Sequence, residues 1–474
     1  MQGSRFLIDH RSLALPSVAA GGDIGGKTKN NCFGGYDPMS LLLDRRAVLA
    51  SFGALALPQF AQAATSGDYK NLQAMIDSYV EGKRISGLSV AIIRGANPVL
   101  YLNGGTLAFD TAAKCTPDSI WRVYSMSKPI TGIAVMKLIE DGKLTLDTQL
   151  STILPAFANM RVRVNNSATE TRPAAGPITI RHLLTHSSGL GYALPGATSP
   201  TANDYNKNGI TPGSRTQGVQ PGATLPSAKT LEEMCERLAK LPLDFDPGTR
   251  WQYAVGIDVL GLVVKKVSGK ASFYDYLKAS IFDPLKMHDT DFIVPAAKAS
   301  RLTSVVAYET QPPGTPRVQT DRPRLLVVED RKTSAFLRDR DLQSGGGGLV
   351  STARDYARFC QMLVNDGALD GARVIKPETL AIARSNLLQN NVRAAIGGRN
   401  GFGAAMQVVM PDSARPGQEP AGGYGWFGIA GTQMFVDPVN KFSVVCMIQM
   451  NPTSIPVQQD YKIAAYKDLA AVKV

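Results

Sequence analysis

Several features that would assign a protein to a particular class are scarce or absent in this sequence. Among 474 residues there are five cysteines and four histidines. No C-x-x-C pair occurs and no histidine stands beside a cysteine, so zinc and redox-active dithiol sites are not indicated. The net charge is +12, but lysine and arginine form no block interleaved with aromatic residues, which gives nucleic-acid binding little support. We interpret the positive charge as a diffuse field that favours anionic surfaces or substrates.

A long apolar run is also missing. The apolar stretch 47–60 is too short to span a bilayer comfortably, and it stands in a segment organised like an export signal. Two arginines at 45–46 precede it and Ala-Gln-Ala at 61–63 follows it, which is the order of a secretory signal peptide. The arginine pair also resembles a twin-arginine signal.

We therefore predict that residues 1–63 are an N-terminal extension and a signal peptide, with the signal starting at about Met39 and the mature chain at Ala64. This prediction implies a periplasmic or secreted protein that is not stably inserted in a membrane after cleavage. The alternative is an uncleaved apolar helix.

Two glycine-rich segments match nucleotide-binding patterns without the context that such sites need. Residues 21–28, GGDIGGKT, fit the phosphate-binding loop, but no clear strand precedes them and the residues that follow cannot continue as a helix. Residues 423–428, GYGWFG, fit G-x-G-x-x-G, but a strand-like segment follows where a dinucleotide site needs a helix. We interpret both as chance matches and expect no cofactor.

Strand patterns occur at both ends of the chain and helix patterns lie between them. Alternating or continuous apolar runs predict strands at 88–95, 98–105, 431–438 and 441–450. This distribution predicts an α/β (α+β) architecture, in which a sheet assembled from the two ends of the chain carries an inserted helical domain.

The domain boundaries follow from the same distribution. We place the α/β part at about 64–120 and 300–474, and the helical part at about 121–299. Within the helical part, residues 191–228 are dense in Gly, Pro, Ser, Thr and Asn. A structureless stretch of this length is usually functional or disordered, so we predict an active-site flap, with disorder as the alternative.

The segment VYSMSKPI, residues 123–130, precedes a run that is apolar almost all round and therefore predicts a buried helix. At helical spacing Ser125 and Lys128 lie one turn apart on the same face, whereas Ser127 points elsewhere. A serine hydroxyl needs a base, and Lys128 can be that base only if burial keeps it uncharged part of the time. The alternative is a helix-capping serine beside a solvated lysine, and S-x-x-K alone does not decide between the two.

Other hydrolytic sites have less support. The G-x-S-x-G elbow of many serine hydrolases is absent. His182 and His186 stand at helical spacing and could suggest a metal pair, but no H-E-x-x-H pattern and no third ligand accompany them. We interpret them as packing or hydrogen-bonding histidines and expect no metal.

Five segments in this order resemble a known family: VYSMSKPI, ITIRHLLTHSSGL, PGTRWQYAVGIDVLG, GGGGLVSTARDYARF and GYGWFGIAGTQMFVDP. The ordered set resembles the serine hydrolases related to class C β-lactamases and penicillin-binding proteins, and most of all the family VIII carboxylesterases. The resemblance extends from about residue 70 to the end. It implies a β-lactamase-like fold, with an antiparallel sheet flanked by helices, an inserted all-helical domain and the site in the cleft between them.

The resemblance also implies the roles of individual residues. Ser125 matches the nucleophile, Lys128 its lysine partner and Tyr253 the tyrosine of the Y-x-N or Y-S-x motif. The backbone N–H groups of Ser125 and Ile429 match the oxyanion hole. Trp426, Phe427 and Gly428 occupy the place of the K-[ST]-G strand of β-lactamases and of W-G-G in the esterases.

Two residues depart from the family pattern. Val255 stands where β-lactamases have Asn, which favours the esterase branch, and Phe427 stands where the esterases usually have Gly, which leaves the shape of the acyl pocket open. Together with Trp426 and Gly428 they are our candidates for substrate binding.

The prediction is an exported serine carboxylesterase that hydrolyses short-chain carboxylic esters through an acyl-enzyme on Ser125, with a small-molecule ester as its partner. Weak β-lactam hydrolysis is compatible with this prediction. The alternatives are a β-lactamase, a D-amino-acid peptidase or an acyltransferase of the same fold, and a catalytically inactive peptidoglycan-binding relative. The sequence leaves the natural ester and the oligomeric state open.

Overall fold

The structure is a computed structural model that describes residues 65–472, with gaps at 195–196, 213–223, 310–323, 339–341, 390–391 and 396–399. The predicted signal peptide, its cleavage site and the phosphate-loop match lie outside the described residues, as does part of the predicted flap. The described residues form one compact unit. Among the helices of the described part, none combines the length and the apolar character needed to cross a membrane.

The helices in the described part of the chain are α1 Lys70–Glu81, α2 Ser127–Glu140, α3 Ile180–Leu184, α4 Pro200–Lys207, α5 Leu231–Leu238, α6 Gly256–Ser268, α7 Phe273–Leu277, α8 Ala353–Val364, α9 Pro377–Ala383 and α10 Val457–Ala471.

The strands in the same part are β1 Gly87–Arg94, β2 Leu100–Gly105, β3 Ile120–Arg122, β4 Arg161–Arg163, β5 Thr171–Pro173, β6 Val305–Tyr308, β7 Leu325–Glu329, β8 Val350–Thr352, β9 Ala368–Leu369, β10 Ala372–Arg373, β11 Gly401–Phe402, β12 Gln407–Val408, β13 Tyr424–Phe427, β14 Gln433–Asp437 and β15 Phe442–Met447.

Within the described residues, seven of these strands form the central sheet in the order β11-β12-β13-β14-β15-β1-β2. Every pair in it is antiparallel. β1 and β15 come from opposite ends of the chain and pair directly, with Val90 opposite Cys446. The predicted sheet assembled from the two ends is therefore confirmed.

The sheet is covered on both faces, which explains why β1 and β15 are buried almost throughout. Successive residues of a strand point to opposite faces. Accordingly Ala91 and Ile93 belong to the main core with α2 and α8, whereas Val90 and Ile92 pack into a second core with α1 and α10. A strand buried on both faces has no polar alternation, so its sequence is continuously apolar.

Two local predictions in the helical region need correction. His182 lies in α3, but His186 follows the helix with φ +56°, so the two histidines are not one helical turn apart as their spacing predicted. The predicted flap, residues 191–228, contains α4, so the expectation that this stretch lacks secondary structure is wrong for residues 200–207. Ser199 caps α4 by accepting a hydrogen bond from the Ala202 N–H at 3.1 Å, and Pro200 fits its first turn.

Candidate active site

Ser125 lies in a short 3-10 turn, Tyr124–Met126, that leads directly into α2. Tyr124 has φ +42°, a left-handed conformation that is uncommon for a residue other than glycine, and it makes this turn sharp. α2 is apolar all round and lies in the core, so the first turn of the helix is fixed by packing. Ser125 remains partly exposed at its start, whereas Lys128 has no exposed surface.

The structure brings the three predicted catalytic residues together. The Tyr253 hydroxyl donates to Ser125 Oγ at 2.6 Å, and Lys128 Nζ donates to the same oxygen at 3.1 Å. Lys128 Nζ also donates to the carbonyl of Gly346 at 2.6 Å and lies 4.6 Å from the centre of the Tyr253 ring. A serine hydroxyl in contact with two groups that can exchange protons is the arrangement that nucleophilic catalysis requires.

The neighbouring serine has a different environment. Ser127 is buried, and its Oγ accepts a hydrogen bond from the Leu349 N–H at 3.1 Å. It therefore supports the end of the glycine-rich segment 345–348 and does not take part in the contacts between Ser125, Lys128 and Tyr253. The structure thus separates the two serines as the helical spacing predicted.

Asp258 lies behind the glycine-rich segment and was missed in the sequence analysis. It is in the first turn of α6, has no exposed surface, and accepts hydrogen bonds from the Gly346 N–H at 3.0 Å and from the Ser344 hydroxyl. Burial raises the pKa of this carboxyl, whereas the nearby Lys128 and the two hydrogen bonds oppose the increase. The available signal was a single acidic residue in an otherwise apolar helical run.

Aromatic residues enclose Tyr253. The Tyr192 ring stacks on it at 5.4 Å between centroids, and His186 and Trp426 lie at 4.8 and 5.8 Å. His186 is buried and its Nδ1 accepts a hydrogen bond from the Ala254 N–H at 3.3 Å. Burial lowers the pKa of His186 well below its usual value, with a smaller contribution from Lys128. His186 is thus a packing and hydrogen-bonding histidine, as predicted.

The end of β13 lies against the chain just before Ser125. The Thr432 hydroxyl donates to the carbonyl of Val123 at 3.2 Å, and a Cβ on Gly428 would be only 2.6 Å from the same carbonyl oxygen. Only glycine allows this approach. Within the described residues the Ile429 N–H donates no hydrogen bond, although the carbonyl of Ile429 accepts two from Thr453. An oxyanion hole needs N–H groups that are free to donate, and the Ile429 N–H meets this requirement.

Comparison with known proteins decides the family. The sequence profile of the family described as Beta-lactamase matches residues 72–467, which is most of the chain. The chain belongs to the beta-lactamase family. The sequence is 33% identical to Esterase EstB of Burkholderia gladioli over 387 residues, which are 79% of this chain and 89% of that protein.

Solved structures show the same fold. The structure of EstCE1, described as a hydrolase with promiscuous acyltransferase activity, matches with a TM-score of 0.68 at 24% identity and covers 85% of this chain and 98% of its own. The structure of a family VIII carboxylesterase matches with a TM-score of 0.61 at 18% identity, and the match covers 86% of this chain and 99% of that protein. The predicted resemblance and fold class are confirmed, and this beta-lactamase family member is a serine hydrolase of the esterase type.

The structure also gives the surroundings of Val255 and Phe427, two of the residues predicted to bind substrate. Val255 precedes α6 with no exposed surface and belongs to the main core, so its side chain does not face an open cleft. Phe427 stacks on Trp426 at 4.9 Å, and both residues line a cavity of about 820 Å³ together with Gln433 and residues of α10. Ser125, Lys128 and Tyr253 do not line this cavity.

Proposed function

We propose that the protein is a carboxylesterase that hydrolyses short-chain carboxylic esters through an acyl-enzyme on Ser125. The observation that carries this proposal is the position of Ser125 Oγ, which lies within hydrogen-bond distance of both the Tyr253 hydroxyl and Lys128 Nζ. A nucleophile and two groups that can exchange a proton with it are then present at one point.

Acylation uses these contacts directly. Ser125 Oγ attacks the carbonyl carbon of the ester, and its proton passes to the deprotonated member of the Lys128–Tyr253 pair. The electron pair of the carbonyl moves onto oxygen, where the N–H groups of Ser125 and Ile429 stabilise the negative charge. The bond between carbon and the alcohol oxygen then breaks, and the pair returns the proton to the leaving alcohol.

Deacylation repeats the sequence with water. The water gives a proton to the same pair as it attacks the acyl carbon, the bond to Ser125 Oγ breaks, and the proton returns to Oγ as the carboxylic acid leaves. An alcohol in place of water would yield a new ester by the same steps. An acyltransferase is therefore the alternative, and adding an alcohol acceptor and measuring ester against acid as product distinguishes the two.

The preference for a neutral ester rests on the end of β13. Trp426 takes the place that lysine has in the K-[ST]-G strand, so this position offers no cation for the carboxylate of a β-lactam. The Trp426 ring instead packs against Tyr253 at 5.8 Å. An apolar wall against Tyr253 suits a short acyl or alcohol group without charge.

A fluorophosphonate probe with mass mapping of the labelled peptide tests the proposal. The probe forms a covalent bond only with an activated serine, so we expect the label on Ser125 and none on Ser125→Ala. Hydrolysis of p-nitrophenyl butyrate should be lost in the same variant. A label on another residue, or an unlabelled wild-type protein that still cleaves the ester, would contradict the assignment.

A further inference from the structure

We propose that Asp258 is a positioning residue for the reaction, which acts through Gly346 on Lys128. This inference rests on the proposed roles of Lys128 and Ser125. Its basis is a continuous path of hydrogen bonds. The Asp258 carboxylate accepts from the Gly346 N–H at 3.0 Å, the Gly346 carbonyl accepts from Lys128 Nζ at 2.6 Å, and Lys128 Nζ reaches Ser125 Oγ at 3.1 Å.

The path depends on close packing at Gly346. A Cβ on this residue would be 2.5 Å from Asp258 Oδ2, so the carboxylate and the glycine fix each other's position. The Ser344 hydroxyl donates to the same carboxylate oxygen as the Gly346 N–H and orients the carboxylate from the other end of the turn. The Gly346 carbonyl, which accepts a hydrogen bond from Lys128 Nζ, is thereby held in one place. A displacement of about 1 Å at a catalytic group can lower a rate by roughly a hundredfold.

The burial of Asp258 destabilises the fold. It has no exposed surface, and within the described part of the chain its Oδ2 has no hydrogen-bond partner. A buried carboxylate with an unpaired oxygen destabilises a protein unless nearby charge compensates for it. Since burial raises the pKa of Asp258 above the value of the unfolded chain, the ionised form costs stability at neutral pH. Such a residue is expected where a reaction needs it.

The titratable groups around the path come from several elements. Tyr192 interacts electrostatically with both Tyr253 and Asp258. His186 interacts in the same way with Lys128, and Cys235 of α5 with Asp258. Burial raises the pKa of Tyr192 and of Cys235 and lowers that of His186, so all three are neutral at neutral pH. Asp258 accepts both of its hydrogen bonds, from the Gly346 N–H and the Ser344 hydroxyl, which favours the carboxylate and makes it the negative charge near Lys128.

The test compares Asp258→Asn with Asp355→Asn as a matched control. Asp355 is also buried, accepts hydrogen bonds from the Asp289 N–H and the Thr290 hydroxyl, and has its pKa raised to about 6 by burial. We expect Asp258→Asn to lower kcat/KM for p-nitrophenyl butyrate by about ten- to a hundredfold. We expect Asp355→Asn to stay within about twofold of wild type, since it lies outside the proposed path.

A pH profile separates positioning from a merely structural role. Removal of a negative charge beside the Ser125–Lys128–Tyr253 group favours the deprotonated form of that group, so the acid limb of kcat/KM should move to lower pH in Asp258→Asn. Its melting temperature should stay close to that of wild type, because the amide removes the cost of a buried charge but places an NH2 donor where Oδ2 has no partner. If Asp258→Asn does not fold, Ser344→Ala provides the second variant, with a smaller shift of the same sign.

Labelling of Ser125 by the fluorophosphonate distinguishes failure of this inference from failure of the proposed function. Slower labelling of Asp258→Asn at unchanged melting temperature supports the inference. If wild type and Asp258→Asn are labelled at equal rates with superimposable pH profiles, the role of Asp258 is refuted and the esterase proposal stands. If wild type is not labelled on Ser125, the esterase proposal itself fails.

Discussion

Two sets of neighbours hold Tyr253 in different ways. The polar set is joined to it through hydrogen bonds that begin at its hydroxyl and consists of Ser125, Lys128, Gly346 and Asp258. The aromatic set comprises Tyr192, His186 and Trp426, whose rings contact the Tyr253 ring, and Trp251 and Phe402, which pack behind them. The hydroxyl of Tyr253 thus takes part in the hydrogen bonds around Ser125, whereas its ring is part of an apolar wall.

The ring nitrogens show how far the two sets differ. His186 Nε2, Trp251 Nε1 and Trp426 Nε1 are buried and find no hydrogen-bond partner in the described part of the chain. A polar atom without a partner costs free energy, so the aromatic set is retained for shape and for the exclusion of water, which strengthens electrostatic interactions in the polar set. Changes in the polar set should therefore act on kcat, and changes in the aromatic set on substrate choice and stability.

Tyr253→Phe gives the largest expected effect, because it removes the polar link and leaves the aromatic packing in place. We expect kcat for p-nitrophenyl butyrate to fall by about 10³-fold or more, close to the loss in Ser125→Ala, since both act in one unit. KM and the melting temperature should change little. Steady-state kinetics and thermal unfolding measure these quantities. A Tyr253→Phe variant with near wild-type kcat would show that the hydroxyl does not carry the proton.

The ratio of ester to β-lactam turnover gives the next largest effect. A β-lactam carries a carboxylate, and Trp426 replaces the lysine that would bind it. Loss of one charge-assisted hydrogen bond costs about 1.5–3 kcal/mol, or roughly ten- to over a hundredfold in kcat/KM. We expect kcat/KM for p-nitrophenyl butyrate to exceed kcat/KM for benzylpenicillin by at least this factor. We also expect esterase activity to fall for esters with long acyl chains. A penicillin value equal to or above the ester value would indicate a β-lactamase.

Trp426→Phe with Trp251→Phe as control sharpens the role of the aromatic set. Both changes remove an indole from the same cluster, but only Trp426 lies against the Tyr253 ring. The Trp426 variant should alter the ratio of butyrate to acetate ester by several-fold, with a smaller change in the Trp251 variant. Equal changes in both would mean that the wall acts on the site only through general packing.

Ser127→Ala should act on stability and leave the chemistry nearly intact. The buried Leu349 N–H would lose its acceptor, and an unsatisfied buried donor costs about 1–3 kcal/mol. The free energy of unfolding, measured by denaturant titration, should fall by this amount, while kcat stays within a few-fold of wild type. Loss of activity in Ser127→Ala with retained activity in Ser125→Ala would reverse the assignment of the nucleophile.

Two residues of the polar set and Tyr253 itself could be predicted from the sequence, because each belongs to a short sequence pattern. Ser125 and Lys128 stand at a helical spacing, and Tyr253 was recognised by its place in an ordered series of segments. The sheet was predictable for a similar reason, since β1 and β15 are apolar runs bounded by turn residues. Local pattern and long-range structure agree in these cases.

The remaining parts depend on contacts that no local pattern encodes. Asp258 reaches Gly346 across 88 positions of the chain, and its role depends on the packing of α6 against the glycine-rich segment. The aromatic set unites residues from β11, β13 and two loops, and each of them alone is typical of an ordinary core. Val255 was assigned by its place in a motif, but burial of its side chain is decided by tertiary packing.

His186→Asn gives the smallest expected effect and tests the aromatic set through pH. Asn fits this position because its Oδ1 can accept from the Ala254 N–H and because asparagine adopts the left-handed conformation that His186 has, with φ +56°. Burial lowers the pKa of His186 below its value in the unfolded chain, so the unfolded state binds a proton that the folded state does not as the pH falls below about 6.5.

The stabilisation that His186 provides is therefore fully present above the unfolded pKa and is lost as the pH falls toward the lower, folded pKa. Between pH 7 and pH 5 the free energy of unfolding of wild type should fall by roughly 1–2 kcal/mol more than that of His186→Asn. The two proteins should differ by a constant amount above pH 7, which measures the packing change alone. Parallel curves down to pH 5 would mean that His186 is protonated in the folded protein, and the aromatic set would then contain a charge.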